Sequence, residues 1–415
     1  MDGEHGLDRT GTRSVKWQNA GVEQDARRIP LGVADMDLPG FPALYAALRA
    51  RLDHHALGYT RADPAARERV ARWYARRHAA EIDPDWVVLL PFGPRTAVRV
   101  VLDAAAAGPA PRGPVLTASP EYGGFAVVAR AAGRTVQEIP LGRAGGGYRL
   151  PVDEFAYRCR REPGAVVALS SPHNPTGRVW DDGELHALAE AAAAGDGLLL
   201  SDEVHCEILH PGRRHITAVR AAGKFARHTV VVHSVGKAFN VSGLADAFLL
   251  VPDAELRRRV VATLEGFGFF EGGRLLGALA QEVALEHGEP WLRSLTSGLT
   301  ERRDLIVTRL ADAVPGLVAC VPEASFLLWL RGAAFDGAPP GDDAERAEGA
   351  PGIRERLLAA CGVELTDGAA FGAAGEGYAR LNFALPEPRL AEAADRLVRF
   401  AEEAKGIRPG GMWRM

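Results

Sequence analysis

The chain has 415 residues, 47% of them hydrophobic and 25% charged, and its 49 Lys+Arg against 53 Asp+Glu leave a formal net charge of −4. That length predicts roughly two to three domains with sizeable cores, and the slightly acidic balance argues against a nucleic-acid-binding footprint. No apolar run approaches the roughly 18 residues of a membrane span and the opening segment lacks the apolar core of a signal peptide, so a cytoplasmic protein is expected. Cys159, Cys206, Cys320 and Cys361 lie far apart with no C-x-x-C. That spacing speaks against a disulfide framework or structural zinc, and no metal is expected.

Taken in chain order, short apolar runs alternate with helix-like stretches. The runs are Trp86–Leu90, Pro114–Thr117, Ala165–Leu169, Gly197–Leu200 and Thr229–Val232. None alternates with polar residues, which predicts an α/β fold whose mostly parallel sheet is covered on both faces. Between the third and fourth runs, Asp181 and Asp182 are capping candidates, with Glu184 in the first turn of a helix that runs through the alanine-rich Leu185–Ala194. His54 and His55 read as a helix end, and Glu255–Arg259 as a solvated helix face. Gly266–Gly273 either lines a substrate mouth or packs in the core. Arg331–Gly352 reads as a mobile surface loop, and the tail from Lys405 as frayed.

In open parallel sheets ligands bind beyond the carboxyl ends of the strands. The five runs are followed by PFGPRTA, ASPEYGGF, SSPHNPTG, SDEVHCEI and HSVGKAFN. Their ends bring Gly93, Tyr122, Asn174, Asp202 and Lys237 into one crevice suited to a polar, aromatic cofactor. Singly each residue has an ordinary structural reading: a solvated lysine, a helix-capping aspartate, a packed tyrosine, a turn asparagine. Their combination points to a site.

These motifs resemble fold-type I pyridoxal-phosphate-dependent enzymes of the aminotransferase class I/II superfamily, and within it the cystathionine β-lyase-like C–S lyases of the MalY/PatB type. The resemblance rests on RTGTRSVKW (9–17), VADMD (33–37), GYT (58–60), SPHNPTGRVW, SDEVH, KAFNVSGL, EASFLLWL (323–330) and GYARLNFA (377–384), and spans about residues 9 to 403. It implies a large domain over 49–290 carrying the sheet and the pyridoxal phosphate, and a smaller α/β domain built from 1–48 and 291–415. Lys237 resembles the lysine that joins the cofactor covalently, and Asp202 the carboxylate that keeps the pyridine nitrogen protonated. Asn174 resembles the amide that meets the phenolic oxygen, with His205 standing where many aminotransferases have a tyrosine. Tyr122 resembles the aromatic that stacks on the ring, and Arg380 the arginine that holds the substrate carboxylate. Tyr59 resembles a tyrosine that reaches a neighbouring subunit's cofactor phosphate, which implies a homodimer with a shared active site.

Departures cluster at the phosphate. Gly236 replaces the usual Ser or Thr before the lysine, Ala245 stands where many relatives carry an arginine, and Pro94 lacks an N–H. Ser234 and Arg95 remain as candidates for that end. The resemblance implies β-elimination of thiol, pyruvate and ammonia from cystathionine or another cysteine S-conjugate. Transamination of an amino acid, and a non-catalytic regulator on the same fold, stay open as alternatives.

Overall fold

Seven strands form the central sheet of the computed structural model, which describes residues 7–244, 246–270, 272–336 and 352–404. They are β1 (Val87–Leu90), β2 (Val115–Ser119), β3 (Val136–Pro140), β4 (Val166–Ser170), β5 (Leu198–Asp202), β6 (Thr229–His233) and β7 (Ala247–Leu250). Their order across the sheet is β1-β7-β6-β5-β4-β2-β3. All neighbours are parallel except β7, which runs antiparallel to both β1 and β6. The five apolar runs are β1, β2, β4, β5 and β6, each displaced by a residue or two at its ends. Their residues are buried almost throughout because helices cover both faces, which removes any reason for polar alternation. β3, at the edge, is half exposed, and its weak pattern VQEIP explains why it left no clear apolar run.

The helix after β4 is Asp182–Ala194. Asp181 accepts the Glu184 N–H at 2.8 Å while the Glu184 carboxylate accepts the Asp181 N–H at 3.0 Å, a reciprocal capping box that stabilises such a helix start by about 1 kcal/mol. On one face of the sheet, helices Pro94–Ala106 and Ala254–Gly266 pack against each other, and Leu256 of the latter is buried beneath the exposed Glu255 and Arg258.

A second, antiparallel sheet joins β8 (Val318–Cys320), β9 (Leu327–Arg331), β10 (Thr366–Asp367) and β11 (Tyr378–Asn382) in the order β8-β9-β11-β10. The expected loop from Arg331 is corrected at its start: Arg331 is the buried last residue of β9, and 332–336 form a 3-10 turn. Its last residue, Gly352, is the N-cap of helix Ile353–Cys361; residues 337–351, the tail from Lys405 and Ala245 lie outside the described residues.

The N-terminal segment is pinned between the two sheets. Ile29–Pro30 pair in parallel with Val363–Glu364. Asn382 donates its amide to the carbonyls of Val33 and Asp35, both at 2.7 Å, and Asn240 donates to those of Met36 and Leu38. Arg9 pairs with Asp35 at 2.7 Å, and the wholly buried Lys16 pairs with Asp37 at 2.9 Å. The two N-terminal motifs are therefore partners of each other. Cations of RTGTRSVKW neutralise carboxylates of VADMD, and the asparagines of KAFN and RLN clamp its backbone across the cleft. Among the described residues no helix is long and apolar enough to cross a membrane.

Candidate active site

A cleft of about 760 Å³ opens beyond the carboxyl ends of the strands, and its lining includes Gly93, Arg95, Tyr122, Asn174, Asp202, His205, Ser234, Lys237 and Arg380. Eight of the nine lie at or just beyond the carboxyl ends of strands of the large sheet, and Arg380 comes from β11 in the small one.

Lys237 keeps some exposure to the cleft, and its Nζ donates to the Ala34 carbonyl at 2.7 Å. Burial of the amine, and next the Arg380 guanidinium, push its pKa down to about 8, against the opposing pull of Asp35 and Asp202. Asp202 ends β5 and accepts the Val204 N–H at 3.2 Å; burial raises its carboxyl to about 6. His205 is buried, and its Nδ1 lies 2.9 Å from Ser325 Oγ. Desolvation, then the cations of Lys237 and Arg380, hold its pKa well below the usual value, so the ring is neutral at pH 7.

Arg380 is interlocked with its surroundings. Its Nη1 donates to Asn174 Oδ1 at 2.9 Å, and its Nη2 donates to the Gly32 carbonyl at 2.9 Å. Its Nε is buried without a hydrogen-bond partner, and a buried donor left unpaired is costly. Tyr122 is placed by the residue before it. The buried Glu121 carboxyl accepts the N–H groups of Tyr122 (2.7 Å) and Ser170 (3.1 Å) and bonds the Ser170 hydroxyl, while burial lifts its pKa to about 8.

The phosphate end is built differently. Gly93 is the N-cap of helix Pro94–Ala106, where Pro94 supplies the first-turn φ but no N–H. Arg95 donates from Nε and Nη2 to the Tyr122 hydroxyl at 3.2 and 3.0 Å, with its guanidinium 5.7 Å from the ring centroid. Ser234 Oγ donates to the Asp246 carbonyl at 2.6 Å and accepts the Gly236 N–H at 3.2 Å. At Gly236 a Cβ would sit 3.2 Å from Ser242 Cα and 3.3 Å from Ser234 Oγ, so the bare glycine matches a crowded turn. Thr96 and Ser242 also line the cleft here. Neither stands in a position with a signature. Ser242 comes close only because the turn after Lys237 folds back on Gly236. The residues present fit the cofactor: a helix start, hydroxyls and a guanidinium for a phosphate, a carboxylate for a ring nitrogen, an asparagine for a phenolic oxygen, and an amine of lowered pKa for an aldehyde.

Tyr59 does not join the cleft of its own chain. It lies fully exposed in a stretch without regular structure that starts at Asp53, the C-cap of helix Pro42–Leu52 and the residue before His54 and His55. Phe267 and Phe270 are also exposed and Phe269 packs against the core, and none of the described residues of 266–273 lines the cleft.

A fold-type I sheet with this lysine, aspartate and arginine converging on one cleft defines a pyridoxal-phosphate-dependent enzyme. The family model for aminotransferase class I and II matches residues 27–397, and the chain belongs to that family. It is 30% identical over 378 residues to the cystathionine beta-lyase PatB of Bacillus subtilis, covering 90% of this chain and 93% of that one. It is 30% identical over 395 residues to the arginine–pyruvate transaminase AruH of Pseudomonas aeruginosa, covering 93% of each. The structure of a C–S lyase from Staphylococcus hominis, bound to pyridoxal phosphate, superposes with a TM-score of 0.85 at 23% identity, covering 96% of this chain and 98% of that one; at that identity it shares the fold.

Proposed function

We propose that this enzyme is a C–S lyase that eliminates a thiol from a cysteine S-conjugate, cystathionine among them. The observation that carries the reading is the Lys237 amine, enclosed among Asp202, Asn174 and Arg380 and pushed down to about 8. The likeness to PatB and the complete set of N-terminal and SDEVH motifs favour elimination.

Pyridoxal phosphate, when bound, supplies the electron sink that makes the α-proton of an amino acid removable. In the proposed roles Lys237 holds the cofactor, then acts as the base that takes that proton. Asp202, raised by burial first and by Glu203 as well, would meet a protonated ring nitrogen and be held ionised by it. Asn174 and the neutral His205 would serve the phenolic oxygen, and Tyr122, anchored through Glu121, would cover the ring. Arg380 would grip the α-carboxylate. Gly93, Arg95 and Ser234 serve the phosphate. Overall the Cα–H, Cβ–S and Cα–N bonds break, one water supplies the keto oxygen, and thiol, pyruvate and ammonium leave.

The likeness to a transaminase keeps a second reading in play, in which the α-proton returns to the cofactor instead. Incubation with cystathionine and S-alkyl cysteines decides between them. Stoichiometric thiol, pyruvate and ammonia without an added keto acid is the expected result. Accumulation of pyridoxamine phosphate, or turnover only when a keto acid is supplied, overturns it.

A homodimer with a shared site is part of the proposal, supported by the exposure of Tyr59, which in this reading reaches the partner's phosphate. The division into 49–290 and 1–48 with 291–415 is supported by where the two sheets fall. A cytoplasmic location is supported by four free cysteines.

A further inference from the structure

A cavity of about 30 Å³ that shares no lining residue with the cofactor cleft lies where Leu90 of β1 pairs with Ala247 of β7, against helices Ala66–His78 and Leu275–His287. It has room for about one or two guests the size of a water molecule. Asp246 lines it and is 5% exposed, yet neither of its carboxylate oxygens has a hydrogen-bond partner among the described residues. Gln281 lines it too, is 7% exposed, and its Oε1 is likewise unpartnered. Cβ atoms on residues 273 and 277 would collide with the Asp246 carboxylate, so two glycines clear the space it occupies.

The other charges at the cavity are already matched. Asp63 pairs with Arg69 at 2.6 Å, and Glu282 lies 3.8 Å from the same guanidinium with its side chain 41% exposed. Burial lifts the Asp246 pKa to about 7, opposed by the backbone and charge of Arg274, an exposed residue that does not line the cavity. A carboxylate so placed has given up its water and gained no partner, which is costly. A small cation answers its two oxygens and that of Gln281 together. One unmatched charge calls for one positive charge. A divalent ion would demand six or more oxygens or several retained waters, for which the cavity has no room.

We propose that Asp246 and Gln281 form a binding site for a monovalent metal cation, sodium or potassium. Cysteine spacing, which spoke against zinc, is silent on a site made of oxygens. The Asp246 carbonyl accepts the Ser234 hydroxyl at 2.6 Å. An ion that fixes Asp246 therefore also fixes the acceptor on which that hydroxyl rests.

The test uses holoenzyme freed of alkali ions in choline chloride at pH 8, where Asp246 is ionised, with sodium or potassium chloride exchanged in at constant ionic strength. The unfolding midpoint is expected to rise by at least about 2 °C at about 100 mM of the better ion, along a saturating curve. The ion that saturates at the lower concentration is the one the site takes. At pH 6 the rise is expected to shrink, because protonation of Asp246 competes with the cation. Asp246→Asn keeps the shape and loses the charge; it is expected to abolish the rise while unfolding no lower in choline than the unaltered enzyme does. Gln281→Met keeps the carboxylate and is expected to raise the half-saturating concentration at least about fivefold; it decides the matter if Asp246→Asn does not fold. Equal midpoints in choline, sodium and potassium at pH 8 overturn the site, leaving a protonated Asp246 or a basic side chain of a second copy as the occupant. A rise undiminished in Asp246→Asn, or in Gln281→Met, overturns it by placing the ion elsewhere.

Discussion

The two ends of the cleft are made in opposite ways. At the ring end, Asp202, Asn174, His205 and Arg380 are buried and each is held by a hydrogen bond: Asp202 by the Val204 N–H, His205 by Ser325, and Arg380 by Asn174 and the Gly32 carbonyl. At the phosphate end, Arg95 is exposed and bonded to Tyr122, Gly236 offers no hydroxyl, and Pro94 offers no N–H. The difference teaches that chemistry on the ring demands fixed geometry, whereas a dianion is satisfied by any sufficient set of donors.

Breaking the ring end should have the largest effect. Lys237→Ala removes both the covalent anchor and the base. Elimination is expected to fall on the order of 10²- to 10⁴-fold or more, and borohydride should no longer fix cofactor to the protein. Reducible cofactor persisting in that variant would show that another lysine is the anchor. Asp202→Asn removes the charge but keeps the shape. Losing a charge-assisted hydrogen bond of about 1.5–3 kcal/mol corresponds to about 10- to 100-fold in kcat; an unchanged kcat would mean that Asp202 does not face the ring nitrogen.

The phosphate end should respond in affinity and not in chemistry. Arg95→Ala is expected to raise the dissociation constant of pyridoxal phosphate about tenfold or more, since a charge-assisted contact is lost where few others are available. Titration of the apo variant measures it, and an unchanged constant would leave Thr96, Ser234 and Ser242 as the phosphate ligands. The smallest effect concerns pH. Only neutral Lys237 attacks an aldehyde, and with a pKa of about 8 its neutral fraction rises between pH 7 and 8. Cofactor capture by the apoenzyme should therefore quicken about fivefold over that unit, whereas a lysine near the ordinary 10.4 would give about tenfold. The sign follows from burial, which disfavours the charged amine in the fold.

The sequence by itself determined the α/β class, the five apolar strands and the residues that follow them, because a buried parallel sheet writes continuous apolar runs and binds ligands at one edge. It also offered Asp181 and Asp182 as caps with Glu184 in the first turn, and the structure makes Asp181 the cap of a box closed by Glu184, a contact within four residues. β7 escaped notice as an antiparallel member, since direction depends on neighbours and not on composition. Only the tertiary structure decided that Arg9 and Lys16 serve Asp35 and Asp37, that Asn240 and Asn382 hold the same segment from two sides, and that Arg380 closes a site otherwise built by the large sheet. It alone brought Ser242 back against Gly236 and set Glu364 against Gly32. Those contacts join residues up to several hundred positions apart. Their energies depend on distance and burial in three dimensions, and neither is written in local spacing.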